Sequence, residues 1–169
     1  KSTGNLRGSK GTLWEGGVRV PGIVEWPARM PKPGVSDVPC STLDIYPTVL
    51  AATGAVAAKQ IQPLDGVNLL SLFDRQMTER GKAIPFWADA RRPTAHAALL
   101  DWPFKLHTNA IEGRDKQGRK GGAVIPVLLY DVSQDPNETA DLAAQQPERV
   151  ATMTAALAEW KASAERSLA

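Results

Sequence analysis

Residues 6–27 read LRGSKGTLWEGGVRVPGIVEWP and put one lysine, Lys10, into a loop with glycines at 4, 8, 11, 16 and 17. A lysine ammonium is a compact point charge suited to a tetrahedral oxyanion such as sulfate or phosphate, whose oxygens gain charge during group transfer. Glycine neighbours let backbone and ammonium approach a bound group closely. The same residues also describe an ordinary exposed lysine, so the chemistry alone leaves both readings open. Trp14 either lines the mouth of a pocket or packs, and Glu15 and Arg19 read as a local ion pair that fixes the loop. His96 and His107 carry the side chain most used as a general acid near neutral pH, yet neither lies in a motif. Cys40, the single cysteine, excludes an internal disulfide and a multi-cysteine metal site and reads as a buried or idle thiol. Asn137, Glu138 and Thr139 match a glycosylation acceptor, but within DPNE at 135–138 they read as turn chemistry.

The chain has no phosphate-binding loop, dinucleotide-binding glycine pattern, zinc-type cluster or nucleophile elbow. Its 169 residues, 43% apolar, suffice for a core, and its 20 basic and 18 acidic side chains are mixed along the chain. No field suited to nucleic acid or an acidic membrane arises from that balance. No apolar run reaches the roughly 20 residues that cross a bilayer, so no membrane partner is expected. The opening residues look like the middle of a loop, as if cut from something longer.

The elements that must position these residues can be read from pattern. Residues 18–26, rich in β-branched side chains, suit an edge strand that accommodates Pro21. A helix begins at Ser41, Thr42 or Asp44, tolerates Pro47 in its first turn and stops at Gly54. Residues 67–73 suit a short helix. Strands are expected at 84–88, 96–101, 104–108 and 127–132, with a charged, glycine-rich hairpin loop at 112–122. Val150, Met153, Leu157, Trp160 and Ala164 recur at spacings of three and four, an apolar stripe on a helix that starts near Pro147.

Residues 6–27, together with DIYPTVLAATG at 44–54, LDGVNLLSLF at 64–73 and LLYDVSQDPNETADLA at 128–143, resemble the sulfatase family in sequence and in order. The resemblance implies an α/β fold of the alkaline-phosphatase-like class, seen here as its C-terminal part. Residues 1–78 would be the last elements of the large domain, and 79–169 a small C-terminal subdomain of antiparallel sheet and packed helix. It further implies hydrolysis of sulfate esters in the intact enzyme, of sulfated glycans or aryl sulfates, with Lys10 contacting the sulfate. Trp14 and His96 become candidates for substrate binding. The family's formylglycine nucleophile, in a CxPSR or SxPSR context, and its calcium ligands are absent from this chain, which offers no metal ligand of its own. The chain by itself is therefore expected to be inactive, and its bared apolar face to favour self-association. A phosphatase or phosphonate hydrolase of the same superfamily, or a non-catalytic binding fragment, are the alternatives. Localisation is not legible in the residues; the resemblance implies a periplasmic, extracellular or lysosome-like setting.

Overall fold

A computed structural model describes residues 3–56, 63–87, 96–111 and 122–167. They form two compact units, one of Lys1–Val20 with Ala83–Ala169 and the other of Pro21–Lys82. The contacts thus group residues 1–20 with the C-terminal sheet, whereas the sequence division at 78/79 puts them with the first part of the chain.

The first unit is organised by strand alternation, since successive side chains point to opposite faces. Strands β1 (Ile84–Trp87), β2 (Ala97–Asp101), β3 (Phe104–Ile111) and β4 (Val124–Asp131) pair antiparallel in chain order. The register sets Leu99 opposite Leu106 and Leu106 opposite Leu129, which puts these leucines on one face. Helix α4 (Pro147–Arg166) covers that face with Met153 and Leu157, and Val150 and Trp160 pack at the margin. Trp160 meets Trp87 at 4.5 Å between ring centroids. Pro147 sits in the first helical turn, where a missing amide proton leaves no bond unmade.

The opposite face carries Lys105 and His107, set across from Tyr130 and Leu128. It is buried as well, by the segment that holds Trp14. The short helix α1 (Glu15–Val18) ends that segment. Gly17 is required there, because a Cβ would stand 2.2 Å from the Thr12 carbonyl oxygen.

The second unit is built on α2 (Ile45–Thr53), preceded by a single 3-10 turn at Thr42–Asp44. Ser41 and Asp44 close a capping box, and Gly54 ends α2 in the left-handed region at φ 69°. Asp44 is fully buried, accepts from the amides of Ser41 and Val67 and pairs with both terminal nitrogens of Arg80. These bonds hold its carboxyl below the usual range against the opposing effect of burial.

Three expectations are corrected in this unit and at its start. The strand expected at 18–26 is not formed: Val18 belongs to α1, and residues 19–26 lie in no strand. Val20, Ile23 and Val24 remain 76%, 92% and 57% exposed, so β-branched composition lacked the neighbouring ladder that makes a strand. The helix expected at 67–73 is only α3 (Leu70–Phe73), since the Asn68 side chain accepts from the Leu70 amide and starts it later. Of the two readings of Cys40, buried or idle, burial is not met: the residue is exposed, its thiol donating to the Val38 carbonyl at 3.5 Å. The hairpin loop expected at 112–122 lies outside the described residues except for Gly122.

Candidate functional site

Lys10 is exposed on the turn between Ser9 and Thr12, followed by Gly11 at φ 88°, a conformation that side-chain-bearing residues rarely adopt. Thr12 Oγ donates to the Ser9 carbonyl at 2.8 Å and accepts from the Ser9 amide at 3.2 Å, which closes the turn. The glycines downstream serve the backbone as well: at Gly16 a Cβ would lie 2.6 Å from the Arg7 carbonyl oxygen. Clearance for a ligand is therefore not their whole explanation.

What fastens this loop to the sheet is a buried polar cluster that no motif announced. Lys105 Nζ, fully buried on β3, reaches Glu15 Oε1 at 2.8 Å and Glu138 Oε1 at 3.1 Å. The Glu15 amide donates to Glu138 Oε2 at 2.7 Å. Arg7 donates to the Glu138 carbonyl at 2.7 Å and to the Tyr130 hydroxyl at 3.1 Å, and its guanidinium lies 3.7 Å over the Trp14 ring. Glu138 sits at φ 55° in the left-handed region, held there by partners on both its carboxylate and its carbonyl. The ion pair read between Glu15 and Arg19 exists at 3.7 Å, but Arg19 is half exposed and Lys105 is the closer partner.

The histidines complete the cluster. His107 Nε2 lies 2.8 Å from Glu138 Oε1, and His107 Nδ1 lies 2.9 Å from His96 Nε2. His96 is half-buried immediately before β2, and Trp14 packs on both rings, 4.4 Å from His107 and 5.7 Å from His96. Trp14 is 6% exposed, so it packs in the interior rather than opening to solvent. Of the sequence-predicted residues, Trp14 and His96 are in contact, and Lys10 lies on the loop that Trp14 and Glu15 anchor. Sequence reasoning missed Lys105 and Glu138 and gave His107 little weight; the one available signal was the polar pair Lys105 and His107 alternating with Leu106 on β3.

The charges in the cluster balance: Glu15 and Glu138 face Lys105 and Arg7. Both imidazoles are pushed down from 6.5 to about 4, mainly by burial. For His107 the main cause is burial, supported by Lys105 and Arg7 and opposed by the hydrogen bond to Glu138. For His96 it is burial again, then His107 and Lys105, with Glu138 opposing. Glu138 is held below the carboxylate range by His107, Lys105 and the Glu15 amide, in spite of its burial. Between pH 6.5 and 4 the unfolded chain therefore binds more protons than the folded one, and stability falls as pH falls through that window. Glu138 adds to the loss below about 4.5. Thermal unfolding recorded from about pH 7 to 4 should show a steady drop in melting temperature that starts near 6.5; a profile flat down to about pH 4.5 would contradict neutral, buried imidazoles.

Among the described residues no group of three or more histidine, cysteine, aspartate or glutamate side chains could hold a metal ion. Cys40, exposed in VPCSTLD, has neither the sequence context nor the setting of a formylglycine precursor. No helix of the described residues is long and apolar enough to cross a membrane.

An antiparallel sheet with a helix on one face and a lysine-bearing glycine loop on the other matches the C-terminal part of the alkaline-phosphatase-like fold in solved structures. A Bacteroides thetaiotaomicron protein, solved in work on the metabolism of multiple glycosaminoglycans, matches with a TM-score of 0.76 and 25% identity over 94% of this chain and 32% of its own. Ps i-CgsB matches with a TM-score of 0.72 and 26% identity over 92% of this chain and 32% of its own. No family model matches. Human arylsulfatase H is 31% identical over 155 residues, 82% of this chain and 27% of the relative. Human steryl-sulfatase is 40% identical over 153 residues, 81% and 26% of the two chains, and rat arylsulfatase G 42% identical over 147 residues, 83% and 27%. The chain belongs to the sulfatase family and corresponds to its C-terminal portion. It spans about a quarter of the length of the curated relatives it matches. Membership implies a formylglycine nucleophile and a metal ion in the whole proteins.

Proposed function

We propose that this chain is the C-terminal part of an enzyme that hydrolyses sulfate esters, with Lys10 at the transferring sulfate and His96 beside the rest of the substrate. The observation that carries the reading is the joint anchoring of the two. Arg7 and Glu15, on either side of Lys10, bind the same Glu138 that holds His107 against His96. A loop tied in this way keeps its ammonium in register with the histidine, and placement within a fraction of an ångström is what positioning contributes to catalysis. Trp14 supports His96 from behind in this reading.

In this division of labour Lys10 neutralises charge on the sulfate oxygens, while residues outside this sequence provide the formylglycine nucleophile and hold calcium. Sulfated glycans are the proposed substrate class, in keeping with the solved complex of Ps i-CgsB with k-i-k-neocarrahexaose. In the whole protein the large domain would end within residues 1–78 and a small subdomain fill 79–169. The apolar side chains that the second unit exposes, Ile23 at 92% and Val35 at 99% among them, would meet other protein surface in the whole molecule and favour self-association of the isolated chain.

The reading is tested by assaying the protein together with its upstream segment against a sulfate ester and the matching phosphate ester. Turnover of the sulfate ester well above the phosphate ester is expected, with none by the 169-residue chain alone. Equal or greater turnover of the phosphate ester, or hydrolysis by the chain alone, would overturn it.

A further inference from the structure

The described residues allow only one proton arrangement along the line from Glu138 to His96 when both imidazoles are neutral. A carboxylate oxygen only accepts, so His107 must use its Nε2 proton to donate to Glu138 Oε1. Neutral His107 then has a bare Nδ1, which accepts from Nε2 of His96 at 2.9 Å. His96 is left with a bare Nδ1, the ring atom for which no protein partner is seen among the described residues. A protonated His107 would reverse the line and turn His96 Nδ1 into a donor.

We propose that Glu138 and His107 are positioning residues that fix His96 as a hydrogen-bond acceptor, so that the site favours sulfate esters bearing a hydroxyl or N–H donor next to the ester. This rests on the reading that His96 faces the substrate. Geometry supports the acceptor state, because the cations packed around the line oppose a further positive charge. Lys105 on β3 lies 3.1 Å from the same Glu138 oxygen, and Arg7 covers Trp14 from the Lys10 loop. Glu138, the carboxylate bonded to His107, pulls the other way, but it is shared with Lys105 and the Glu15 amide, while Glu15 is itself engaged by Lys105. Burial of His107, fully shielded from solvent, works in the same direction.

A glutamine at 138 would present an amide that can donate as well as accept. Its N–H can satisfy His107 Nε2, and the tautomers along the line are then free to invert. The test uses the full-length protein with ring-nitrogen NMR on 15N-histidine-labelled material at neutral pH, and kinetics with a hydroxyl-bearing sulfate ester and its deoxy analogue. In the wild type both His96 and His107 should be protonated at Nε2, and the hydroxyl-bearing ester should be preferred about tenfold in kcat/KM, the worth of one neutral hydrogen bond. Glu138→Gln, which no longer dictates the Nε2 proton of His107, should populate the Nδ1 tautomers and weaken the preference, mostly through KM. A wild-type His96 protonated at Nδ1, or a doubly protonated His107, overturns the proposal, and that measurement holds even if the variant fails to fold. A folded Glu138→Gln variant that keeps the wild-type preference overturns it as well. Failure of the underlying reading has a different signature: the tautomers are as predicted, but His96→Ala leaves both esters equally well hydrolysed as in the wild type.

Discussion

Replacing Lys10 with alanine in the full-length protein should lower kcat for a sulfate ester by about two to three orders of magnitude, the usual loss when one preorganised charge at a transferring group is removed. The fold should be unaffected. Lys10 is exposed, and its loop is held by Arg7, Thr12 and Glu15, none of which the substitution touches. Sulfate release and thermal unfolding measured on the same preparation separate the two effects. Turnover within about threefold of the wild type would remove Lys10 from the site. Lys10→Arg should recover only part of the loss, because a planar guanidinium does not replace a compact ammonium on a tight glycine turn.

The second large effect is on stability. Lys105→Met keeps most of the side-chain volume but leaves Glu15 and Glu138 facing each other in the interior without their shared cation. Breaking a buried pair in this way costs about 3 to 5 kcal/mol, since the remaining charge is neither solvated nor compensated. Here two carboxylates lose their shared cation, and the Lys105–Glu15 contact, one of those that join the Lys10 loop to the sheet, goes with it. Chemical denaturation of the wild type and variant should show the loss, and the variant should also lose turnover although Lys105 touches no reacting group. A change below about 1 kcal/mol would mean that the cluster does not hold the loop.

Much of the fold was legible because local rules and tertiary packing agree. Ser41, Asp44, Pro47 and Gly54 delimit α2 by capping chemistry that operates within a few residues. The stripe of Val150, Met153, Leu157 and Trp160 marked α4 and the face it buries. Residues 18–26 misled for the opposite reason: their strand propensity is conditional on a neighbouring ladder. The candidate site was legible only at its rim. In FKLHT the alternation sets Lys105 and His107 on the face away from the leucines, but a strand's polar face is ordinarily solvated. Whether it is covered depends on Trp14 and Glu15, about ninety residues earlier in the chain, and no local pattern encodes that meeting. Glu138 was concealed in the same way, since its neighbours Asp135 and Thr139 do form the turn that DPNE announces, with Thr139 and Ala140 amides donating to Asp135.

The cluster also changes what the Lys10 loop is. Read from sequence, it is a glycine-rich segment around one cation. In the structure, its two flanks are bolted to β3 and to the turn at 135–138, and the bolts run on to His96, the more accessible of the two histidines. The buried ion pairs explain how the loop that carries Lys10 is kept in place.

A crystal structure of the full-length protein with a non-hydrolysable sulfate-ester analogue bound decides the matter. Lys10 Nζ is expected within hydrogen-bond distance, about 3 Å, of a sulfate oxygen, with His96 against the organic part of the same molecule. An analogue bound with Lys10 in solvent and His96 out of contact would contradict both assignments.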